Sequence, residues 1–272
     1  MLTANSQACG LSAYVTGAGP SIVFLHSLLS DRGSLEPLVP LLAGDFRLVI
    51  LDLPGFGGSP AVTGGLDVMA DRIAEGIRAY CPDEAPLLFG NGYGSFVALA
   101  TALRHPDLAS GLFLAGCGAA FTEQGRGAFR FMAGKAAEGG LETIADAAMR
   151  RLFTPEMAEK VQDVVAERRR SFLATDPAVF AQACGTLATL DLRDAVRGLA
   201  VPVFACVGEL DEATPPAMAE ELARLAPQGT YHVIADCAHV PPLQAPEKVA
   251  AELRAFTAGL PGRAGAERAL TR

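Results

Sequence analysis

Residues 86–95, PLLFGNGYGS, decide the fold, because here an apolar strand runs through a tight glycine-rich turn toward a helix. The run at 86–89 is short, apolar and continuous, which is typical of a strand buried on both faces of a parallel sheet. Glycines at 90, 92 and 94 let the backbone turn sharply, and a helix is predicted from near Ser95. A strand, a turn and a helix form the repeating unit of an α/β sheet.

Five further apolar runs flank this unit, with helical patterns between them. We predict strands at 21–25, 47–51, 111–115, 202–207 and 231–234. Asp67 is predicted to cap one helix, and Thr214, followed by a proline, is predicted to cap another. Repeated strand–helix units predict a doubly wound, mostly parallel α/β sheet.

The interval between the strands at 111–115 and 202–207 carries only helical patterns. We interpret residues 121–196 as a helical cap inserted into an α/β core of residues 1–120 and 197–258. Residues 259–272 are predicted to be a flexible tail. The three arginines at 168–170 are interpreted as a solvated helix face, with a clamp for an anionic substrate as the alternative.

Composition excludes several classes of protein. The chain has 272 residues, with 22 basic against 30 acidic side chains, and this excess of acid argues against a general nucleic-acid binder. No apolar stretch approaches the roughly 18 residues that a membrane span needs, and no secretory signal is visible. The six cysteines lack a CxxC pair, which favours buried thiols in a reducing compartment. The sequence therefore predicts a cytoplasmic protein that binds a small molecule, without metal, cofactor, nucleic acid or membrane partner.

Polar motifs follow several predicted strands. HSLLSD at 26–31 and DLPGFGGS at 52–59 each follow one strand, as the turn at 90–94 does. Asp211 and His239 follow two strands separated by one helix. Open α/β sheets place ligands at the carboxyl ends of their strands, so this acid and this base should come within reach of each other.

In this order the motifs resemble the α/β-hydrolase family, and the resemblance covers about residues 12–256. It implies an eight-stranded, mostly parallel sheet with a helical cap. It also implies that His239 is the catalytic histidine and Asp211 the acid that orients it, with an oxyanion hole made by the backbone N–H groups of Leu28 and Tyr93. The segment at 26–43 is similar to the opening of the 3-oxoadipate enol-lactonase branch, which implies a small ester or lactone as substrate.

The substrate cleft is expected between core and cap. His26 should lie under the oxyanion loop at this pocket. The rest of the cleft should be mainly apolar, and its predicted lining residues are Phe129, Phe131, Met132 and Leu152.

One position departs from the family pattern, because the elbow G-x-S-x-G has glycine at residue 92 in place of the attacking serine. No acyl-enzyme can form on Gly92, and Ser95 lies a turn further into the helix. Glycine adopts the strained backbone of the elbow at little cost. Because glycine has no side chain, we also expect a small space beside His239 that could hold a water. A histidine paired with an aspartate can act as general base on such a water.

Three functions stay open at this point. The protein is an enzyme that uses the pair of His239 and Asp211 without a serine, an esterase or lactonase inactivated by natural or engineered loss of the serine, or a non-catalytic protein that binds a small molecule or partner. A dinucleotide site at Gly90 and Gly92 is disfavoured, because Ser95 stands where the last glycine of that motif belongs.

Overall fold

The computed structural model describes residues 2–261, and its framework is one sheet of eight strands. The strand order is β1-β2-β4-β3-β5-β6-β7-β8, with β1 and β2 antiparallel at one edge and the other strands parallel. This confirms the predicted fold class. The strands are β1 Ser6–Ala8, β2 Leu11–Thr16, β3 Ser21–Leu25, β4 Arg47–Leu51, β5 Leu87–Asn91, β6 Gly111–Ala115, β7 Val203–Gly208 and β8 Gly229–Ile234.

The central strands are apolar because both faces of the sheet are covered. Every residue of β3, β5 and β6 is buried. On one face a row of phenylalanines crosses the sheet, and its ring centroids are 5.0 Å apart for Phe24–Phe89, 5.4 Å for Phe89–Phe113 and 4.8 Å for Phe113–Phe204. Such pairs add packing energy to the burial of their surface. This row of rings packs β3, β5, β6 and β7 against one another on one face of the sheet.

The helices cover both faces of the sheet and fill the interval between β6 and β7. No helix within residues 2–261 is long and apolar enough to cross a bilayer. The α-helices are α1 Val39–Leu42, α2 Leu66–Tyr80, α3 Tyr93–Arg104, α4 Glu123–Gly139, α5 Ala145–Leu152, α6 Pro155–Lys160, α7 Gln162–Leu173, α8 Pro177–Ala188, α9 Arg193–Val196, α10 Pro216–Leu225, α11 Pro241–Gln244 and α12 Pro246–Ala258, with 3₁₀ helices at Arg32–Leu38 and Leu141–Ile144.

Helices α4 to α9 lie in the interval predicted as the cap, and every named element there is helical. The boundaries of the cap as a separate unit stay a prediction. Most of the predicted tail, from residue 262 onward, lies outside the described residues.

Two predicted helix caps are wrong. Helix α2 has Gly65 as its N-cap, so Asp67 lies in its first turn. A carboxylate in this position interacts favourably with the positive end of the helix dipole. Helix α10 has Pro215 as its N-cap. Thr214 instead turns its hydroxyl toward Asp211, with 2.8 Å between Oγ1 and Oδ2, because a buried carboxylate needs hydrogen-bond donors more than the helix end does.

Arg168 is buried, which corrects its interpretation as part of a solvated helix face or an anionic-substrate clamp. The residue is 1% exposed. Its Nη1 lies 2.7 Å from Asp31 Oδ1 and 3.1 Å from Ser30 Oγ, and its Nη2 lies 2.8 Å from Glu167 Oε1. Arg169 and Arg170 turn away from the core, because neighbouring helical residues point in different directions. Arg168 therefore ties α7 to the loop that follows β3.

We expect Asp31→Asn to lower the free energy of unfolding by about 3 kcal/mol at pH 7, since it leaves the Arg168 guanidinium buried with one charge partner fewer. Asparagine can still accept the Gly33 N–H that Asp31 accepts at 2.9 Å. Urea unfolding would measure the loss. Asp83→Asn changes an exposed aspartate in the loop before β5 and is the matched control, with a change within about 0.5 kcal/mol.

The same pair predicts a pH dependence. Burial raises the pKa of Asp31, but the charge and hydrogen bond of Arg168 outweigh burial, so the folded-state pKa lies below its ordinary value. The stabilisation is therefore complete above the unfolded pKa of about 3.9 and is lost as the pH falls through the folded one. The difference in the free energy of unfolding between the parent and Asp31→Asn should therefore shrink as the solution is made acidic. A difference that does not depend on pH would contradict the role of this charge.

Candidate active site

The turn between β5 and α3 is packed tightly enough to demand glycine. A Cβ on Gly90 would stand 2.4 Å from the Gly94 carbonyl oxygen, and one on Gly94 would stand 2.2 Å from the Leu25 carbonyl oxygen. Gly92 has φ 53° and ψ −119°, in the positive-φ region that glycine adopts most readily. The turn thus brings residue 92 to the carboxyl end of β5, at the centre of the sheet.

The loops after β7 and β8 bring an aspartate and a histidine together. His239 Nδ1 lies 2.9 Å from Asp211 Oδ2, as the spacing predicted, and both residues are buried. Asp211 Oδ1 also accepts the backbone N–H groups of Ala213 and Thr214, at 2.8 and 2.9 Å. Burial raises the pKa of Asp211, but the charge and hydrogen bond of His239 and the hydrogen bonds of Thr214 outweigh burial, so this pKa lies below its ordinary value. The carboxylate therefore stays ionised and holds the proton of His239 on Nδ1.

The other ring nitrogen of His239 faces Gly92. A Cβ on residue 92 would stand 3.1 Å from His239 Nε2 and only 2.5 Å from Ser27 Oγ. The space predicted beside His239 is therefore shared with the Ser27 hydroxyl. Sequence reasoning missed this contact, although Ser27 directly follows the buried β3 and precedes Leu28.

His26 supports the loop from below and does not line the cavity, which corrects its assignment to the pocket lining. Its Nδ1–H donates to the Ser27 carbonyl oxygen at 2.9 Å, and its Nε2 accepts the Leu53 N–H at 3.2 Å. Burial is the main influence on the pKa of His26 and lowers it. The neutral ring thus satisfies both hydrogen bonds and joins the loop after β3 to the end of β4.

The backbone N–H groups of Leu28 and Tyr93 are unused donors. Within residues 2–261 neither donates to a protein acceptor, although both residues are buried and line the cavity. A buried N–H without a partner is rare and costs free energy. This pair can therefore serve as a site for a developing negative charge on oxygen.

The cavity beside Gly92 has a volume of about 30 Å³, which is room for water but not for an acyl chain. The lining consists of Ser27, Leu28, Leu29, Gly92, Tyr93, Phe96, Phe121, Phe129, Met132, Arg151, Leu187, Ala213, Thr214 and His239.

Two of the four predicted apolar lining residues lie elsewhere. Phe129 and Met132 line the cavity, but Phe131 is 62% exposed, because residues two apart on a helix face nearly opposite ways. Leu152 is fully buried in the apolar core outside the cavity. Its neighbour Arg151 reaches the cavity instead, a residue that the sequence analysis did not single out.

The buried cysteines offer no alternative nucleophile. Burial raises the pKa of Cys184 and of Cys237 to about 12. Thiols in such surroundings stay protonated near neutral pH and are inert.

The family model described as the alpha/beta hydrolase family matches residues 22–252. The chain belongs to the alpha/beta hydrolase family. This alpha/beta hydrolase is 30% identical over 241 residues to a pimeloyl-[acyl-carrier protein] methyl ester esterase of Aeromonas hydrophila, in a match that covers 85% of this chain and 93% of that relative.

Solved structures agree with this membership. An esterase from Thermogutta terrifontis is 27% identical to this alpha/beta hydrolase, with a TM-score of 0.82, over 94% of this chain and 96% of that one. An enol-lactonase from Burkholderia xenovorans is 25% identical, with a TM-score of 0.85, over 92% and 98% of the two chains.

Proposed function

We propose that this alpha/beta hydrolase cleaves a small carboxylic ester or lactone with His239 and Asp211 as its base, and forms no covalent intermediate on residue 92. The observation that carries the proposal is the buried pair of His239 and Asp211, whose free Nε2 points at the space beside Gly92. The relatives named as esterases and an enol-lactonase support the substrate class.

A water held beside Gly92 is the attacking group. His239 Nε2 and Ser27 Oγ both lie within 3.1 Å of one point, the position of a Cβ on residue 92, and they make no hydrogen bond with each other in the described structure. A buried water needs two to four polar partners. These two groups meet that need, with His239 as the acceptor of the water's proton.

The hydrolysis then follows from the geometry. His239 Nε2 takes one proton of the water while the water oxygen bonds to the substrate carbonyl carbon. The carbonyl oxygen becomes an oxyanion, which the N–H groups of Leu28 and Tyr93 stabilise. His239 returns the proton to the alcohol oxygen as the bond from carbon to that oxygen breaks. Asp211 stabilises the imidazolium throughout.

The expected rate is low. Removing a serine nucleophile can cost on the order of 10⁶ in turnover and leave about 10³–10⁴ over water. A positioned general base contributes about 10²–10⁴. The proposal therefore predicts a slow esterase.

A ligand-binding protein without catalysis is the second candidate, and Gly92 is the observation that favours it. Loss of the nucleophile leaves the apolar cavity, the unused N–H groups and the buried pair in place. An esterase or lactonase inactivated by a serine-to-glycine replacement would have the same structure, and the codon for residue 92 in the natural gene separates that case.

We expect the purified protein to turn over part of a panel of short-chain esters and lactones slowly, and His239→Ala to reduce that turnover to background. His232→Ala changes a partly exposed histidine paired with Glu252 and is the matched control, which should keep the parent rate. Intact-mass spectrometry during turnover should show no acyl adduct on residue 92.

A parent protein no faster than His239→Ala would contradict the enzymatic proposal. Thermal-shift binding of the same panel would then favour the ligand-binding candidate.

A further inference from the structure

Arg151 brings an unpaired positive charge into the mainly apolar cavity. It lies in the last turn of α5, and its guanidinium makes no hydrogen bond or ion pair with any residue among 2–261. The nearest organised contact is the ring of Phe129, whose centroid is 5.9 Å from Arg151 Cζ. Arg168, the fully buried arginine of α7, is by contrast held by three polar partners.

The charge is not neutralised by a nearby acid. The charge of Asp211 acts on Arg151, but the oxygens of Asp211 already accept hydrogen bonds from His239, Thr214 and Ala213. Burial lowers the pKa of Arg151, while Cys184 and Asp211 act in the opposite direction. An arginine side chain nevertheless stays protonated in proteins. Partial burial of an uncompensated charge is unfavourable, and an anionic ligand at Arg151 would offset that cost.

The position of Arg151 indicates how that ligand lies. Arg151 lines the cavity beside Gly92 and His239, and it also lines an outer groove of about 590 Å³ next to α10. Arg151 thus borders both spaces. A molecule with its carbonyl beside Gly92 and its anionic end at Arg151 would satisfy both groups at once.

We infer that Arg151 binds a carboxylate carried by the substrate, so that the preferred ester is a monoester, or a lactone, of a dicarboxylic acid. The planar guanidinium matches the two oxygens of a carboxylate in a bidentate pair. Glu212 also lines the outer groove and would repel an anion there, which favours a carboxylate seated on the cavity side of Arg151. The ester part rests on the proposed function, whereas the anion site does not.

Binding measurements test this inference without turnover. By isothermal titration we expect monomethyl glutarate to bind the parent about 10- to 100-fold more tightly than dimethyl glutarate, since a hydrogen bond to a charged group contributes about 1.5–3 kcal/mol. Arg151→Gln should abolish that preference and Arg151→Lys should keep part of it. Arg150→Gln removes the exposed neighbouring charge and should leave the preference unchanged. Circular dichroism checks that each variant is folded.

The outcomes separate the two proposals. Equal affinity of the parent for the two esters, or a preference that survives Arg151→Gln, would overturn the carboxylate site. Inorganic phosphate that competes more strongly than glutarate would also overturn it and point to a phosphorylated ligand. His239→Ala should bind monomethyl glutarate like the parent, so selective binding without hydrolysis would contradict only the proposed function.

Discussion

Gly92→Ser is expected to raise ester hydrolysis by on the order of 10³-fold or more, because loss of a serine nucleophile costs about 10⁶ in a comparable triad. The base, its aspartate and the two unused N–H groups are already in place around residue 92. The new hydroxyl would form an acyl-enzyme that His239 then helps water to hydrolyse. Steady-state kinetics and labelling of residue 92 by a fluorophosphonate would measure the gain.

Ser27 limits this gain. A Cβ on residue 92 would stand 2.5 Å from Ser27 Oγ and 3.1 Å from Ser27 Cβ, so the Ser27 side chain must rotate away. Ser27→Gly combined with Gly92→Ser removes both contacts, and we expect the double variant to exceed the single one several-fold. Ser27→Gly alone should slow hydrolysis, because the attacking water loses one of its two protein partners.

Gly92→Ala is the matched control for the restored serine. It introduces the same Cβ and the same backbone strain at φ 53°, which costs about 1–3 kcal/mol, but it brings no hydroxyl. We expect Gly92→Ala and Gly92→Ser to lose similar stability, with only the serine variant gaining rate and fluorophosphonate labelling. A folded Gly92→Ser protein with neither would indicate that the site is now used for binding alone.

Asp211→Asn should reduce the His239-dependent rate by about 10²–10⁴, the range that a general base contributes. An asparagine amide can donate to His239 Nδ1, which places the ring proton on Nε2 and leaves no acceptor for the proton of the water. Asparagine Oδ1 can still accept the N–H groups of Ala213 and Thr214, so the loop should keep its fold. The measurement is kcat/KM for the best ester of the panel.

Glu220→Gln is the control for Asp211→Asn, since it removes an exposed acid on α10 without touching His239. It should keep kcat within about two-fold of the parent, because surface changes away from buried contacts have small effects. Asp211→Asn with the parent rate would show that the tautomer of His239 does not matter and that the histidine is not the base.

Much of the framework was predictable from short-range patterns. Strands buried on both faces of a parallel sheet are continuously apolar, so β3 to β6 could be located from apolar runs in the sequence. Strands β1 and β2 were not predicted as apolar runs, because both are partly exposed and carry polar residues. Asp211 and His239 could be paired from the sequence, since each follows a strand and the two strands are neighbours.

The contacts that shape the chemistry could not be predicted in this way. Ser27 shares the space beside residue 92 because two loops far apart in sequence meet over the sheet. Arg151 rather than Leu152 reaches the cavity, and Arg168 rather than Arg169 enters the core. A helix offers every face to its surroundings, and which face becomes buried depends on what the rest of the chain packs against it. Local pattern therefore located the pair of Asp211 and His239, while packing between distant segments placed the Ser27 hydroxyl and the Arg151 charge beside it.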